Sequence, residues 1–220
     1  MKSKLLNIVL SLVILGLVIM LAIHKRSSTG EEDHVKAVVS SGVDEQEYDN
    51  EVLRVIHRRK SVRHFTDQRI SKKQLVTLVK SGMAAPSAVN RQSWAFYIVT
   101  NRKQLDEMAS VLPYAKMLSQ APAAIVVCGD LIKAGDLKDD AYWVLDCAAA
   151  SENILLAAES MGLGAVWTAT YPGRERADHV IRILDFPEHH MPLNVIPIGY
   201  PAGIDTPKDK WLPENLIWKE

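Results

Sequence analysis

The feature that most constrains the fold is a long helical stretch at residues 138–161, KDDAYWVLDCAAASENILLAAESM, closed by Gly162. Its middle, Cys147-Ala148-Ala149-Ala150-Ser151, carries small side chains on nearly every side. A helix with no polar stripe is packed all round, because no face gains by meeting water. Two arrangements satisfy this: a central helix inside one core, or close helix-to-helix contact between two chains.

The segments around it set the fold class. Trp94 to Thr100 and Ala123 to Gly129 are runs of aromatic, apolar and β-branched residues that read as strands. Gly164 to Ala169 and Asn194 to Tyr200 read as two more, and Pro197 and Gly199 suggest an edge position or a bulge for the last. Helices are expected over 44–60, from the capping box Ser71-Lys72-Lys73-Gln74 onward, over 102–109, 114–119 and 174–184. Acidic residues early and His57, Arg58, Arg59 and Lys60 late in the first of these suit the helix dipole. Helices and strands alternate irregularly around one sheet, which gives an α+β domain.

Composition excludes several functions. The chain has 26 Lys+Arg against 26 Asp+Glu, so no global basic field favours nucleic acid. Two cysteines, Cys128 and Cys147, both in apolar runs, make no disulfide framework and read as small core residues. Of seven histidines only His189 and His190 are adjacent, and no spaced ligand pair appears, so no metal site is expected. Neither a Gly-x-Gly-x-x-Gly turn nor a Gly-Lys-[Ser/Thr] phosphate loop is present, against a standard dinucleotide fold or a nucleoside triphosphatase.

Residues 5–23, LLNIVLSLVILGLVIMLAI, carry no charge and end at His24-Lys25-Arg26. As a helix they reach roughly 28 Å, about the hydrocarbon thickness of a bilayer. The run is long for a signal peptide and lacks a small-residue exit, so residues 1–26 read as an uncleaved single-pass anchor. Residues 27–43 read as a polar tether and 44–220 as the working domain. Lys2 and Lys4 balance Lys25 and Arg26, so flanking charge does not orient the anchor.

Local positive charge is concentrated in Arg58-Arg59-Lys60-Ser61-Val62-Arg63-His64-Phe65, followed by the turn Ala85-Pro86-Ser87-Ala88-Val89-Asn90. Planar guanidinium forks, a point-charge ammonium and a hydroxyl in one short segment suit a phosphate. A solvated basic face at a helix end is the alternative reading of the cluster alone.

Four blocks over Glu51 to Trp211 together resemble the nitroreductase family of flavin enzymes. They are Arg59-Lys60-Ser61-Val62-Arg63 with Phe65; Ala85-Pro86-Ser87 with Asn90, Gln92 and Trp94; Asp146 through Gly164; and Ile198-Gly199-Tyr200-Pro201 followed by Pro207-Lys208-Asp209-Lys210. The resemblance implies a central, mostly antiparallel sheet flanked by helices, in an obligate homodimer with FMN at the subunit boundary. It implies hydride transfer from NADH or NADPH through FMN to a nitroaromatic, quinone or similar small acceptor. With that donor the domain is expected to face the cytoplasm.

By the same resemblance, Arg59, Lys60, Ser61 and Arg63 form the first flavin block, Arg59 and Ser61 toward the phosphate and ribityl chain and Arg63 nearer the ring. Pro86, Ser87 and Ala88 match the loop offered by the partner subunit, with Asn90 close behind. Trp167, Thr168 and Ala169 fall where a late strand end touches the ring, and Lys208 and Lys210 close over the phosphate. No side-chain acid or base and no metal is implied. Lys60 and Ser93 depart mildly from the pattern, where Arg or His and Pro are frequent. A non-catalytic flavin sensor at the membrane is an alternative. A deiodinase-like dehalogenase is a lesser one, since the stretch between Trp94 and Ala121 is short for a substrate lid.

Overall fold

The computed structural model describes residues 50–219. The anchor at 1–26 and the tether at 27–43 lie outside the described residues. Within those residues no helix is long and apolar enough to cross a membrane.

The elements in chain order are α1 (Glu51–Arg58), α2 (Lys72–Met83), β1 (Trp94–Val99), α3 (Arg102–Val111), β2 (Ala123–Asp130), α4 (Leu131–Ala134), α5 (Tyr142–Ser160), β3 (Gly164–Ala165), β4 (Thr168–Ala169), α6 (Arg174–Leu184) and β5 (His190–Gly199). The sheet order is β1-β2-β5-β3 with β4 also on β5, and every ladder is antiparallel. The fold is the α+β class read from the sequence.

Both faces of the sheet are covered. Ile125, Val127, Ile196 and Ile198 pack with α2 and α5 residues such as Leu78, Cys147, Ala150 and Ile154. Ala124, Val126, Cys128 and Val195 point the other way, against Leu105, Met108 and Val180 of α3 and α6. Alternating side chains of β2 thus enter two cores, which is why the strand is apolar throughout rather than on one face.

Helix α2 begins where its capping box predicts: the Ser71 hydroxyl accepts from Gln74 N while Gln74 Oε1 accepts from Ser71 N. Three expectations are corrected. First, the long helix starts at Tyr142, not near 138, because Ala141 adopts a left-handed conformation (φ 58°) that breaks the helical path. Second, residues 164–169 are two short strands interrupted at Val166-Trp167.

Third, β5 is interior rather than at an edge and longer than expected, and its bulge against β2 falls at Leu193 rather than at Pro197 or Gly199. Thr168 Oγ1 donates to the Val195 carbonyl at 2.5 Å, so by strand alternation the backbone of Pro197 also faces that side. There it meets the interruption between β3 and β4, where no ladder donor is needed. Gly199 has another reason, given below.

Candidate functional site

Segment 59–66 leaves α1 and zips onto the outer edge of the sheet. Val62 N donates to the Ala165 carbonyl at 3.0 Å, Thr66 N to Tyr200 O at 2.9 Å, and Ala202 N to His64 O at 3.0 Å. Val62 and Phe65 turn inward and are buried with Ala121 in a small core of their own. Two glycines paired across β3 and β5 make room for them. A Cβ on Gly164 would lie 2.5 Å from Val62 Cγ1, and one on Gly199 would lie 2.7 Å from Phe65 Cδ1. Gly199 is therefore a seat for an aromatic ring and not the mark of an edge.

With Val62 and Phe65 inward, Arg59, Lys60, Ser61 and Arg63 are left on the outer side. Arg59 is the C-terminal cap residue of α1. Its Nε sits 3.0 Å from Glu152 Oε1, out of line for a hydrogen bond, and is buried without any other partner. Lys60 Nζ divides between the two oxygens of Glu159, at 3.1 and 3.3 Å. Ser61 is exposed, and so is Arg63, whose Nη1 reaches only the Ser61 carbonyl at 3.5 Å. A guanidinium held at Nε keeps its Nη donors for an anion, and Ser61 and Arg63 have donors to spare. This donor set fits a phosphate ester. Lys60 is the exception, since its ammonium is already neutralised by Glu159.

The second block is a tight loop. Asp146 of α5, almost fully buried, accepts from Ala88 N at 2.8 Å through Oδ1, while its Oδ2 has no partner. The Ser87 hydroxyl accepts from Gln92 N at 2.9 Å, and Asn90 Oδ1 from Gln92 Nε2 at 3.1 Å. Val89 (φ 42°), Asn90 (φ 57°) and Gln92 (φ 53°) are all left-handed. For a β-branched residue that conformation is strained, and Val89 is also 80% exposed. Pro86 is exposed beside it.

Trp167 is half-buried in the strand interruption, Thr168 is buried, and Ala169 is exposed at its end. Lys208 and Lys210 stand exposed on the C-terminal segment, and neither makes an ion pair among the described residues.

One chain therefore joins the first block to β3, β5 and the C-terminal part of α5, and joins the loop to the N-terminal half of α5. Along the helix, Asp146 lies about 9 Å from Glu152, which holds Arg59, and about 20 Å from Glu159, which holds Lys60. Three carboxylates that hold these blocks, Asp146, Glu152 and Glu159, were not singled out from sequence. The signal was available in part: Glu152 and Glu159 are two helical turns apart and share a face.

Neither thiol joins this chemistry. Burial pushes both Cys128 and Cys147 well above the ordinary thiol range, so both remain protonated core residues.

Comparison with known proteins agrees with the blocks. The profile of the Nitroreductase family matches residues 56–113 and 108–200. A protein of Methanothermobacter thermautotrophicus, provisionally named NADH dehydrogenase/NAD(P)H nitroreductase, is 39% identical over 183 residues, covering 83% of this chain and 93% of its own. A Bacillus subtilis protein named FMN reductase (NADPH) is 28% identical over 189 residues, covering 78% and 74%. The crystal structure of a Parabacteroides distasonis protein with the same provisional nitroreductase name superposes with a TM-score of 0.74 at 50% identity, over 78% of this chain and 99% of that one. A profile spanning well over half of the sequence, with relatives of this identity and coverage, settles the assignment: the chain belongs to the nitroreductase family.

Proposed function

We propose that this protein is an FMN-dependent oxidoreductase that passes a hydride from NADH or NADPH to a nitroaromatic, quinone or similar small acceptor. The observation that carries the reading is the outward set Arg59, Ser61 and Arg63, fixed on a rigid sheet edge by Val62 and Phe65. When bound, FMN supplies the hydride chemistry. The chain's own residues bind and orient it. Arg59 and Ser61 hold the phosphate and ribityl end, and Arg63 offers positive charge where the ring gains electron density. Trp167, Thr168 and Ala169 border the ring, and Lys208 and Lys210 close over the phosphate. Lys60 acts one step back: by pairing with Glu159 it fixes the course of the segment that carries Ser61.

The site is completed in a homodimer. The loop at Pro86, Ser87, Ala88 and Asn90 is pinned through Asp146, about 9 Å along α5 from the Glu152 that holds Arg59 and about 20 Å from the Glu159 that holds Lys60. It serves the site of the second chain. Unburied apolar surface supports this: α1 has no buried residue, and Leu145, Val89, Trp211, Ile217 and Trp218 are 64–81% exposed. Apolar surface of this kind marks an interaction face. The N-terminal anchor ties the dimer to a membrane, with the domain on the cytoplasmic side where the reduced nucleotides are.

The test is the absorbance spectrum of the purified full-length protein, loaded with FMN, under anaerobic conditions. Flavin bands should bleach on adding NADH or NADPH and return with a quinone or nitroaromatic. A protein that retains FMN but shows no turnover would be the sensor alternative. One that cannot be loaded at all refutes the reading. In the variant Arg59→Ala with Ser61→Ala, FMN retention should fall at least about a hundredfold, from two lost charge-assisted bonds of about 1.5–3 kcal/mol each.

A further inference from the structure

The far end of β5 carries a cluster the flavin chemistry does not use. Asp130, the last residue of β2, pairs in register with His190, the first of β5, and His189 precedes it. Their ligand atoms all lie within 4.8 Å of one another. Strand β5 runs about 30 Å from here to Gly199, so the cluster is remote from the cationic segment at 59–63.

We propose that Asp130, His189 and His190 bind a divalent transition-metal ion of the zinc class, with one position left for water. Two of the three ligands, Asp130 and His190, are already oriented. Asp130 Oδ1 is occupied by the backbone N–H groups of Ile132 and Lys133, both at 3.1 Å, which aims Oδ2 at the cluster. The Tyr97 hydroxyl holds His190 Nδ1 at 2.5 Å, which aims Nε2 at the same point. These are the contacts that fix ligating carboxylates and imidazoles in metal sites. Oδ2 and Nε2 are 3.6 Å apart, too far for a hydrogen bond with each other. Two ligands on one tetrahedral zinc at about 2.0–2.1 Å stand roughly 3.3 Å apart.

The backbone is fixed too. Leu131 N donates to the His189 carbonyl and His190 N to the Pro187 carbonyl, each at 2.9 Å.

One group competes. Lys133 Nζ lies 3.1 Å from Asp130 Oδ2 and donates to the Trp94 carbonyl at 3.1 Å. Its side chain is half-exposed, so it can swing into water when a doubly charged ion takes its place. The adjacent His pair was visible in the sequence, but the carboxylate that completes the set comes from a strand sixty residues earlier.

The test uses full-length protein in detergent, stripped with chelator and titrated with Zn²⁺ by calorimetry and with Co²⁺ by visible absorbance. One saturable ion per chain is expected, with tetrahedral cobalt bands. His189→Ala should abolish them. Tyr97→Phe, which keeps the ring stacked on Phe186, should weaken binding about tenfold. Lys133→Met should tighten it, a gain that misfolding cannot produce. Absence of saturable binding at about 100 μM metal, some 5.5 kcal/mol, overturns the proposal. So does binding unchanged by His189→Ala, or weakened by Lys133→Met. Flavin content plays no part in these readouts, so failure here leaves the oxidoreductase reading untouched.

Discussion

Substituting Gly164 by Ala isolates how the cationic segment is held. The new Cβ would lie 2.5 Å from Val62 Cγ1 and 2.7 Å from Val62 Cβ, against 3.4–4 Å in ordinary contact. A rotamer change moves Cγ1 but not Cβ, so the backbone at Val62 must retreat by roughly 1 Å. That retreat also strains the Val62 N–Ala165 O bond, now 3.0 Å. Overpacking costs about 1–3 kcal/mol and a weakened hydrogen bond about 1. The alanine recovers about 0.4–1 kcal/mol from the unfolded chain, which leaves a net loss of about 2 kcal/mol. Val62→Ala alone removes two buried methyl groups, also about 2 kcal/mol.

Together the two substitutions should cost less than their sum by at least about 1 kcal/mol, because the alanine Cβ enters the space the valine methyls leave. Denaturant unfolding at fixed protein concentration measures all four proteins. In Gly164→Ala, FMN affinity followed by flavin fluorescence should fall about tenfold, since Ser61 and Arg63 flank the displaced Val62. A neutral Gly164→Ala, or strictly additive losses, would refute the reasoning.

Lys208→Ala with Lys210→Ala should weaken FMN retention several-fold while leaving the unfolding midpoint of the FMN-free protein unchanged, since both side chains are exposed and without an ion pair among the described residues. Unchanged FMN affinity would remove them from the site. The two thiols set an alkaline limit on stability. Both folded values are raised by burial, whereas unfolded thiols ionise near about 8.5. The stabilising contribution is complete below that pH and is lost above it, at about 1.4 kcal/mol per pH unit for each thiol. Unfolding curves between pH 7.5 and 10 should steepen in that sense, and Cys147→Ala should halve the slope. A pH-independent stability would refute it.

Much of the scaffold was legible because local rules agreed with the final packing. The Ser71–Gln74 box, the apolar runs of β1 and β2, and the span of α6 come from hydrogen-bond chemistry and periodicity that neighbours along the chain impose. The cationic segment was legible for the same reason: Arg, Lys and Ser in a row advertise their donors without any fold. One error was local, the left-handed turn at Ala141, and the others fell where a distant strand decided the outcome. Pro197 and Gly199 look like edge residues until the interruption at Val166-Trp167 and the ring of Phe65 are placed beside them.

The amino-acid order by itself determined which groups carry charge, which stretches must be buried, and the family to which their combination belongs. Tertiary structure decided what those groups face. It turned Lys60 toward Glu159, tied Ala88 to Asp146, and brought Asp130 beside His189 and His190. The reason is that periodicity reports only a side chain's own direction. Its partner is chosen by β-sheet register and helix docking across scores of intervening residues, and a one-residue slip in that register would part Asp130 from His190.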